Sequence, residues 1–223
     1  MIPALLAWSG GKDAAWALHA LRGGGEVQVV GLLTTLTEGY ERASMQGIRR
    51  DVLHAQADAA GLPLLEAWIP QLADNAAYAA RFAAALEAAA RRWPGLRHVA
   101  FGDLLLADVR AWRVTLCASL GWSALFPLFG RDTAAVARDM IAAGLRAHLC
   151  CVDTARLDAG YAGRVFDASL LAALPPETDP CGEHGEFHTC VSDGPMFPKP
   201  LALRKGETVL RDARFAYTDF RLT

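Results

Sequence analysis

Apolar residues run unbroken from Ala4 to Trp8 and then give way to Ser9-Gly10-Gly11-Lys12-Asp13. A short apolar run closed by turn residues reads as a buried strand, and Ala14 to Leu21 reads as a helix. The same alternation continues along the chain. Glu26–Leu36 is a second strand ending in the polar Thr34–Gly39, and Glu41–Arg50 is a polar, arginine-rich segment. A helix over Ile48–Ala60 is stopped by Gly61 and Pro63, and a third strand, Leu64–Ile69, by Pro70. The helix Asn75–Trp93 ends at Pro94-Gly95, and the strand His98–Phe101 opens into Gly102-Asp103. Asp108–Leu120 is a helix, Leu125–Phe129 a short apolar segment, Thr133–Ala143 a helix ended by Gly144, and Ala147–Val152 a fifth strand.

Strands alternating with helices predict an α/β fold, a parallel sheet with helices on both faces. Right-handed crossovers then set the loops after successive strands along one rim. Ser9–Asp13, Thr34–Met45 and Gly102-Asp103 meet there, where parallel α/β sheets bind ligands. Asp103, at the end of a strand, either holds a cation against phosphates or caps the next helix.

The pattern changes in the second half. Pro175-Pro176-Glu177-Thr178-Asp179-Pro180 reads as a rigid linker. If Glu186–Val191 is a strand, Glu186, His188 and Cys190 share one face, and Phe187, Thr189 and Val191 the other. A carboxylate and an imidazole would then stand about 7 Å apart, suited to binding or proton transfer. Leu201–Arg204 and Val209–Leu222 read as antiparallel strands joined by Lys205-Gly206-Glu207, a hairpin that extends the sheet or forms a homodimer edge. The expected division is an α/β domain over 1–153 and a smaller β-rich C-terminal region over 154–223.

Strand, glycine turn and helix together make an anion site. Adjacent glycines let the backbone turn sharply, and the helix aims unpaired N–H groups and its positive dipole end at the same point. Ser9 caps the helix or donates to a phosphate oxygen, and Lys12 adds a cation. The loop is neither a Walker A motif, since Leu6 and Asp13 stand where Gly and Ser/Thr are needed, nor a Gly-x-Gly-x-x-Gly fingerprint.

With 223 residues and 53% hydrophobic content, a sizeable core is available. The net charge of -2 provides no basic footprint for nucleic acid. No apolar run is long enough for a bilayer, and no signal peptide is recognised. Five cysteines, with Cys150 and Cys151 adjacent, suggest no disulfide framework and fit a reducing cytoplasm.

On Ser9-Gly10-Gly11-Lys12-Asp13, Gly102-Asp103 and Gly182-Glu183-His184-Gly185-Glu186-Phe187-His188-Thr189, the chain resembles the diphthine–ammonia ligase-like branch of the PP-loop ATP pyrophosphatases. The match spans roughly Leu5 to Phe197, and Pro127-Leu128-Phe129 resembles a further Pro-Leu-Trp element. The third motif is the most specific, matching a Gly-Glu-x-Gly-Glu-(aromatic)-x-Thr signature.

The resemblance implies an adenine-nucleotide-α-hydrolase-like domain that binds ATP, with Mg²⁺ as helper. It implies adenylation of a carboxylate acceptor, then displacement of AMP by ammonia, with pyrophosphate released. By this resemblance Ser9, Gly10, Gly11, Lys12 and Asp13 hold phosphates, Gly102 and Asp103 belong to the nucleotide site, and Asp13 and Asp103 are the metal ligands. Lys12, Asp13, Glu183, Glu186 and His188 are the implied catalytic residues, and Glu183, Gly185, Glu186, His188 and Thr189 contact the acceptor or ammonia; Glu186 could bind and deprotonate ammonium.

The sequence departs from the family at Ala14, where a serine is usual, and at Met45-Gln46, where Met-His is frequent. The alanine- and arginine-rich composition suggests a bacterial source, in which the elongation factor that carries diphthamide is absent. Three other readings stand beside this one: a PP-loop tRNA-modifying or sulfur-transfer enzyme, a non-catalytic ATP or AMP binder, and a metal site built from Cys181, His184, His188 and Cys190.

Overall fold

The computed structural model describes residues 1–223. Its first half is a six-stranded sheet with β1 (Ile2–Ala7) at the centre. The chain then forms α1 (Lys12–Gly24), β2 (Val27–Thr37), the short β3 (Arg42–Ala43), α2 (Arg50–Ala60), β4 (Leu64–Ile69) and α3 (Asn75–Arg92). It continues through β5 (His98–Ala100), α4 (Ala107–Ser119) and β6 (Ser123–Leu125). β2 and β5 flank β1 in parallel, β4 lies parallel outside β2, and β6 lies parallel outside β5. The chain thus moves out from β1 to β4 and returns across β1 to β5. A crevice lies at this switch point, at the carboxyl ends of the strands.

The apolar runs explain the layering. Leu5 and Leu6 are both fully buried, yet they belong to opposite cores, because successive strand residues point to opposite faces. Leu6 and Leu32 pack with Leu18 of α1 and Leu53 of α2. Leu5 and Leu33 pack with Phe82 and Leu86 of α3, and with Val99 and Cys117.

The second half is an antiparallel sheet ordered β8-β7-β10-β9. It comprises β7 (Arg146–Asp153), β8 (Phe187–Asp193), β9 (Leu203–Arg211) and β10 (Phe215–Leu222), with α5 (Thr133–Ala142) and α6 (Ala168–Ala173) beside it. Cys190, Val191, Phe187 and Phe220 share a core with Leu6 and Leu18, so the sheets clasp one set of side chains between them.

Four expectations change. The strand Ala147–Val152 pairs with β8 and β10 rather than continuing the parallel sheet; its apolar run signals burial but not its partner. Ser123–Leu125 is a strand that the short apolar reading over 125–129 missed. Lys205-Gly206-Glu207 lies inside β9, where Gly206 packs on Asp219, and the hairpin turns instead at Asp212 and Ala213 with φ of 51° and 50°. The proline-rich stretch is anchored rather than linker-like, since Thr178 is buried and Asp179 accepts from the Thr133 hydroxyl and the Cys181 and Glu183 N–H groups.

Candidate active site

A cavity of about 740 Å³ opens at the carboxyl ends of β1, β2 and β5. Ser9, Asp13, Ala14, Gly102 and Asp103 form one wall, and Glu183, His184, Gly185 and His188 face them from the C-terminal half. Tyr78, Phe82, Phe101 and Trp112 form an aromatic side, with the Tyr78 ring centroid 5.9 Å from Phe82 and 5.6 Å from Trp112.

Gly11, at the N-cap of α1, brings no side chain of its own to cap the helix. The Gly11 N–H donates to Ser9 Oγ at 3.3 Å and the Lys12 N–H to Thr189 Oγ1 at 3.0 Å, whereas the Asp13 N–H meets only its own carboxylate and the Ala14 N–H has no acceptor in the fold. Both of these residues are on the cavity wall, so the helix sets its first turn and the positive end of its dipole there.

The glycine pair acts differently from expectation. Gly10 and Gly11 do not line the cavity but let the loop be pressed between α2 and β8. Gly10 has φ of +78°, and a Cβ there would meet Gln56 Oε1 at 2.7 Å and Leu53 Cδ2 at 2.8 Å. The Gly10 carbonyl accepts from Val191 N–H and Gln56 Nε2, both at 3.0 Å.

Lys12 is also corrected. Its side chain is turned away from the cavity and is almost wholly buried. Nζ lies 2.9 Å from each Asp13 carboxylate oxygen, donates to the Cys181 carbonyl, and stands 5.7 and 5.5 Å from the ring centroids of Phe166 and Phe187. Burial alone would lower its pKa, but the negative groups around it, Asp13 first among them, together outweigh that and raise it. The cation at this helix N-terminus is met inside the fold by the Asp13 carboxylate.

The shared face predicted for Glu186, His188 and Cys190 does not form. Glu186 precedes β8 and is off the cavity wall, with its oxygens accepting from the Asp179 and His184 N–H groups at 3.0 Å each. Cys190 is core, and Thr189 is buried against α1, not on the cavity wall. Cys181, His184, His188 and Cys190 form no cluster able to hold a metal ion. Asp103 faces the cavity beside Arg113, whose guanidinium stacks 4.3 Å from the Phe101 centroid.

Glu183 Oε2 accepts from the Leu104 and Leu105 N–H groups at 3.0 and 3.1 Å. Burial, reinforced by the Asp13 charge, pushes its pKa up to about 7. Burial and the nearby Lys12 charge lower His188 to about 4, so its imidazole is neutral at pH 7. A carboxyl raised in the native state holds a proton that the unfolded chain has already released. Its favourable contribution is complete below the ordinary carboxylate range and is lost as pH rises through about 7. His188 acts with the opposite sign in both the natural protein and Glu183→Gln, so it cancels between them. The stability of the natural protein minus that of Glu183→Gln should therefore fall between about pH 5 and 8; thermal melts showing a constant difference would contradict the shift.

Residue reading along the chain missed Asp153, Arg156 and Arg214 on the cavity wall, where Arg214 grips Asp153 at 2.8 and 2.6 Å. Asp153 ends a strand just as the Gly102-Asp103 turn follows one, and that signal could have found it.

Fold and site together define an open α/β protein whose ligand cavity lies at a topological switch point and is closed by a second, antiparallel sheet. The chain belongs to the diphthamide synthase family: the N-terminal domain profile matches residues 3–124 and the C-terminal domain profile residues 132–218. It is 29% identical over 217 residues to a diphthine–ammonia ligase of Schizosaccharomyces pombe, an alignment covering 90% of this chain but only 36% of that relative's length. A predicted subunit of tRNA methyltransferase from Methanocaldococcus jannaschii superposes over 90% of this chain and all of its own, with a TM-score of 0.45 and 14% identity. No helix is long and apolar enough to cross a membrane.

Proposed function

We propose that this protein is an ATP-dependent ligase that adenylates a carboxylate acceptor and transfers ammonia to it, releasing AMP and pyrophosphate. The observation that carries this reading is the first turn of α1, whose Asp13 and Ala14 N–H groups have no backbone acceptor, on a cavity at the switch point of a diphthamide synthase family member. Those donors and the Ser9 hydroxyl bind phosphate oxygens and favour the charge that develops as the bond between the α and β phosphates breaks. The cavity exceeds 700 Å³ and is walled by both halves of the chain, so nucleotide and acceptor sit together where closure limits water.

Asp13 and Asp103 are the cavity carboxylates that would hold a hard divalent cation, in exchange for part of their present ion pairs with Lys12 and Arg113. Asp103 Oδ2 accepts no hydrogen bond, since the Arg113 Nε atom 2.8 Å away is misaligned. Mg²⁺ held there would neutralise phosphate charge.

Calorimetry with ATP and Mg²⁺ tests the reading. The natural protein should bind ATP, and Asp103→Asn should weaken binding at least tenfold with Mg²⁺ present and far less without it. No ATP binding, or ADP and phosphate as products in ³¹P NMR, would overturn it.

A further inference from the structure

A second cavity, of about 510 Å³, lies between the segment that follows β2 and the β9–β10 hairpin. Tyr40, Arg42 and Met45 stand on one side of it, and Val209, Arg211 and Asp219 on the other. Ala43 and Met45 also line the main cavity, so one stretch of chain separates the two. Glu41 and Met45, on that stretch, have φ of 50° and 69°. Side chains rarely adopt such a backbone, and strain of this kind gathers at ligand sites.

Positive charge is concentrated here. Arg42, Arg49 and Arg221 converge on one carboxylate, Asp219, at 2.9, 2.8 and 2.7 Å. Three guanidiniums on one carboxylate leave two positive charges in excess, in a chain whose net charge is -2. Arg42 and Arg49 are two-thirds buried, where salt screens them less. The other acidic groups nearby do not cancel the excess. Asp51 is the weakest influence on Arg49, and Glu41 acts on Arg50 instead. Asp212, on the same wall, offsets its neighbour Arg211, whose side chain makes no hydrogen bond and no ion pair.

We propose that this second cavity binds a phosphate monoester, seated by Arg42 from one half of the chain and Arg211 from the other. A phosphate monoester carries a charge of about -1.5 to -2 at pH 7, which matches the excess, whereas a carboxylate brings only one. A planar guanidinium donates to two phosphate oxygens at once. The Tyr40 hydroxyl, which has no partner in the fold, supplies a further donor. Tyr40, Met45 and Val209 are exposed apolar side chains on the wall, and the body of the ester would cover them. The site is separate from the cavity of the ligase reading and stands whether or not that reading holds.

The test titrates the full chain with phenyl phosphate, inorganic phosphate and benzoate at equal ionic strength, by calorimetry and by ¹H–¹⁵N spectra. Phenyl phosphate should bind once per chain. Inorganic phosphate, which has no body to cover the apolar side chains, should bind more weakly, and benzoate should not bind. The Gly47 and Thr218 amide peaks should move, while those of Gly102 and Ala14 in the main cavity stay in place. Arg211→Gln removes no contact of the fold, so its melting should be unchanged, but phenyl phosphate affinity should fall by roughly tenfold, the loss of one charged hydrogen bond. Arg42→Gln leaves Arg49 and Arg221 on Asp219 and should weaken binding at least as much. Absence of phenyl phosphate binding, peak movements confined to Gly102 and Ala14, or equal binding of benzoate would overturn the inference. So would undiminished affinity in Arg211→Gln.

Discussion

Lys12→Met is expected to destabilise the protein by about 3 kcal/mol, the low end of the 3–5 kcal/mol typical of breaking a buried pair. Methionine keeps the length of the stem but removes the ammonium. The Asp13 carboxylate then loses both its contacts at 2.9 Å, and the Cys181 carbonyl loses a charged donor. The Asp13 side chain is 29% exposed toward the cavity, and water reaching it moderates the loss. For a chain of this size the melting temperature should fall by roughly 6–12 °C. Lys12→Met combined with Asp13→Asn removes both charges and should recover much of the difference. Urea melts of the natural protein and both variants decide the matter. A loss under about 1 kcal/mol for the single variant would mean that Lys12 is not the internal tie described above, and would return it to the cavity as a phosphate ligand.

Gly102→Ala should have the second largest effect, and for a different reason. Its backbone is not in the left-handed region; what it supplies is space. An added Cβ would stand 2.8 Å from the carbonyl carbon and oxygen of Asp13 and 2.9 Å from the Ala14 nitrogen. These are backbone atoms of the first turn of α1, with no flexible side chain to give way. Overpacking of this kind typically costs about 1–3 kcal/mol. Here it also displaces the helix turn on which phosphate binding is proposed, so ATP affinity should fall at least tenfold. Gly23→Ala is the control. It lies in the same helix with nothing within 4 Å of its added Cβ, and it should be neutral or stabilising by up to about 1 kcal/mol with ATP affinity unchanged. Equal behaviour of the two variants in calorimetry and melts would contradict the close packing of β5 on α1.

Much of this architecture was legible in the chain itself. Apolar runs of strand length closed by Gly and Pro marked β1, β2, β4 and β5, and the alternation with helices called for a parallel sheet. The crevice followed, because right-handed crossovers leave no other place for the loops after β1 and β5. These are local signals: period, length and turn residues act within a few positions of one another.

Three-dimensional packing decided the destinations of individual polar groups. Thr189 takes the Lys12 N–H from 177 positions away, and Gln56 reaches Gly10 across 46. No spacing rule records such approaches. The glycine pair was correctly read as a tight turn, but which side of the turn faces the cavity depended on α2 and β8 closing over it. Lys12 points inward because Phe166, Phe187 and the Cys181 carbonyl offer its stem and ammonium a lined slot. Glu183 and Glu186 are chemically identical, and only the N–H groups that each oxygen meets separate one as a cavity wall from the other as a loop closure. Side-chain period and backbone handedness set the elements, their order and the rim that carries the cavity. Tertiary structure alone decided which charges are spent inside the fold and which remain for a ligand, because a buried polar group must find its partner wherever the packed chain supplies one.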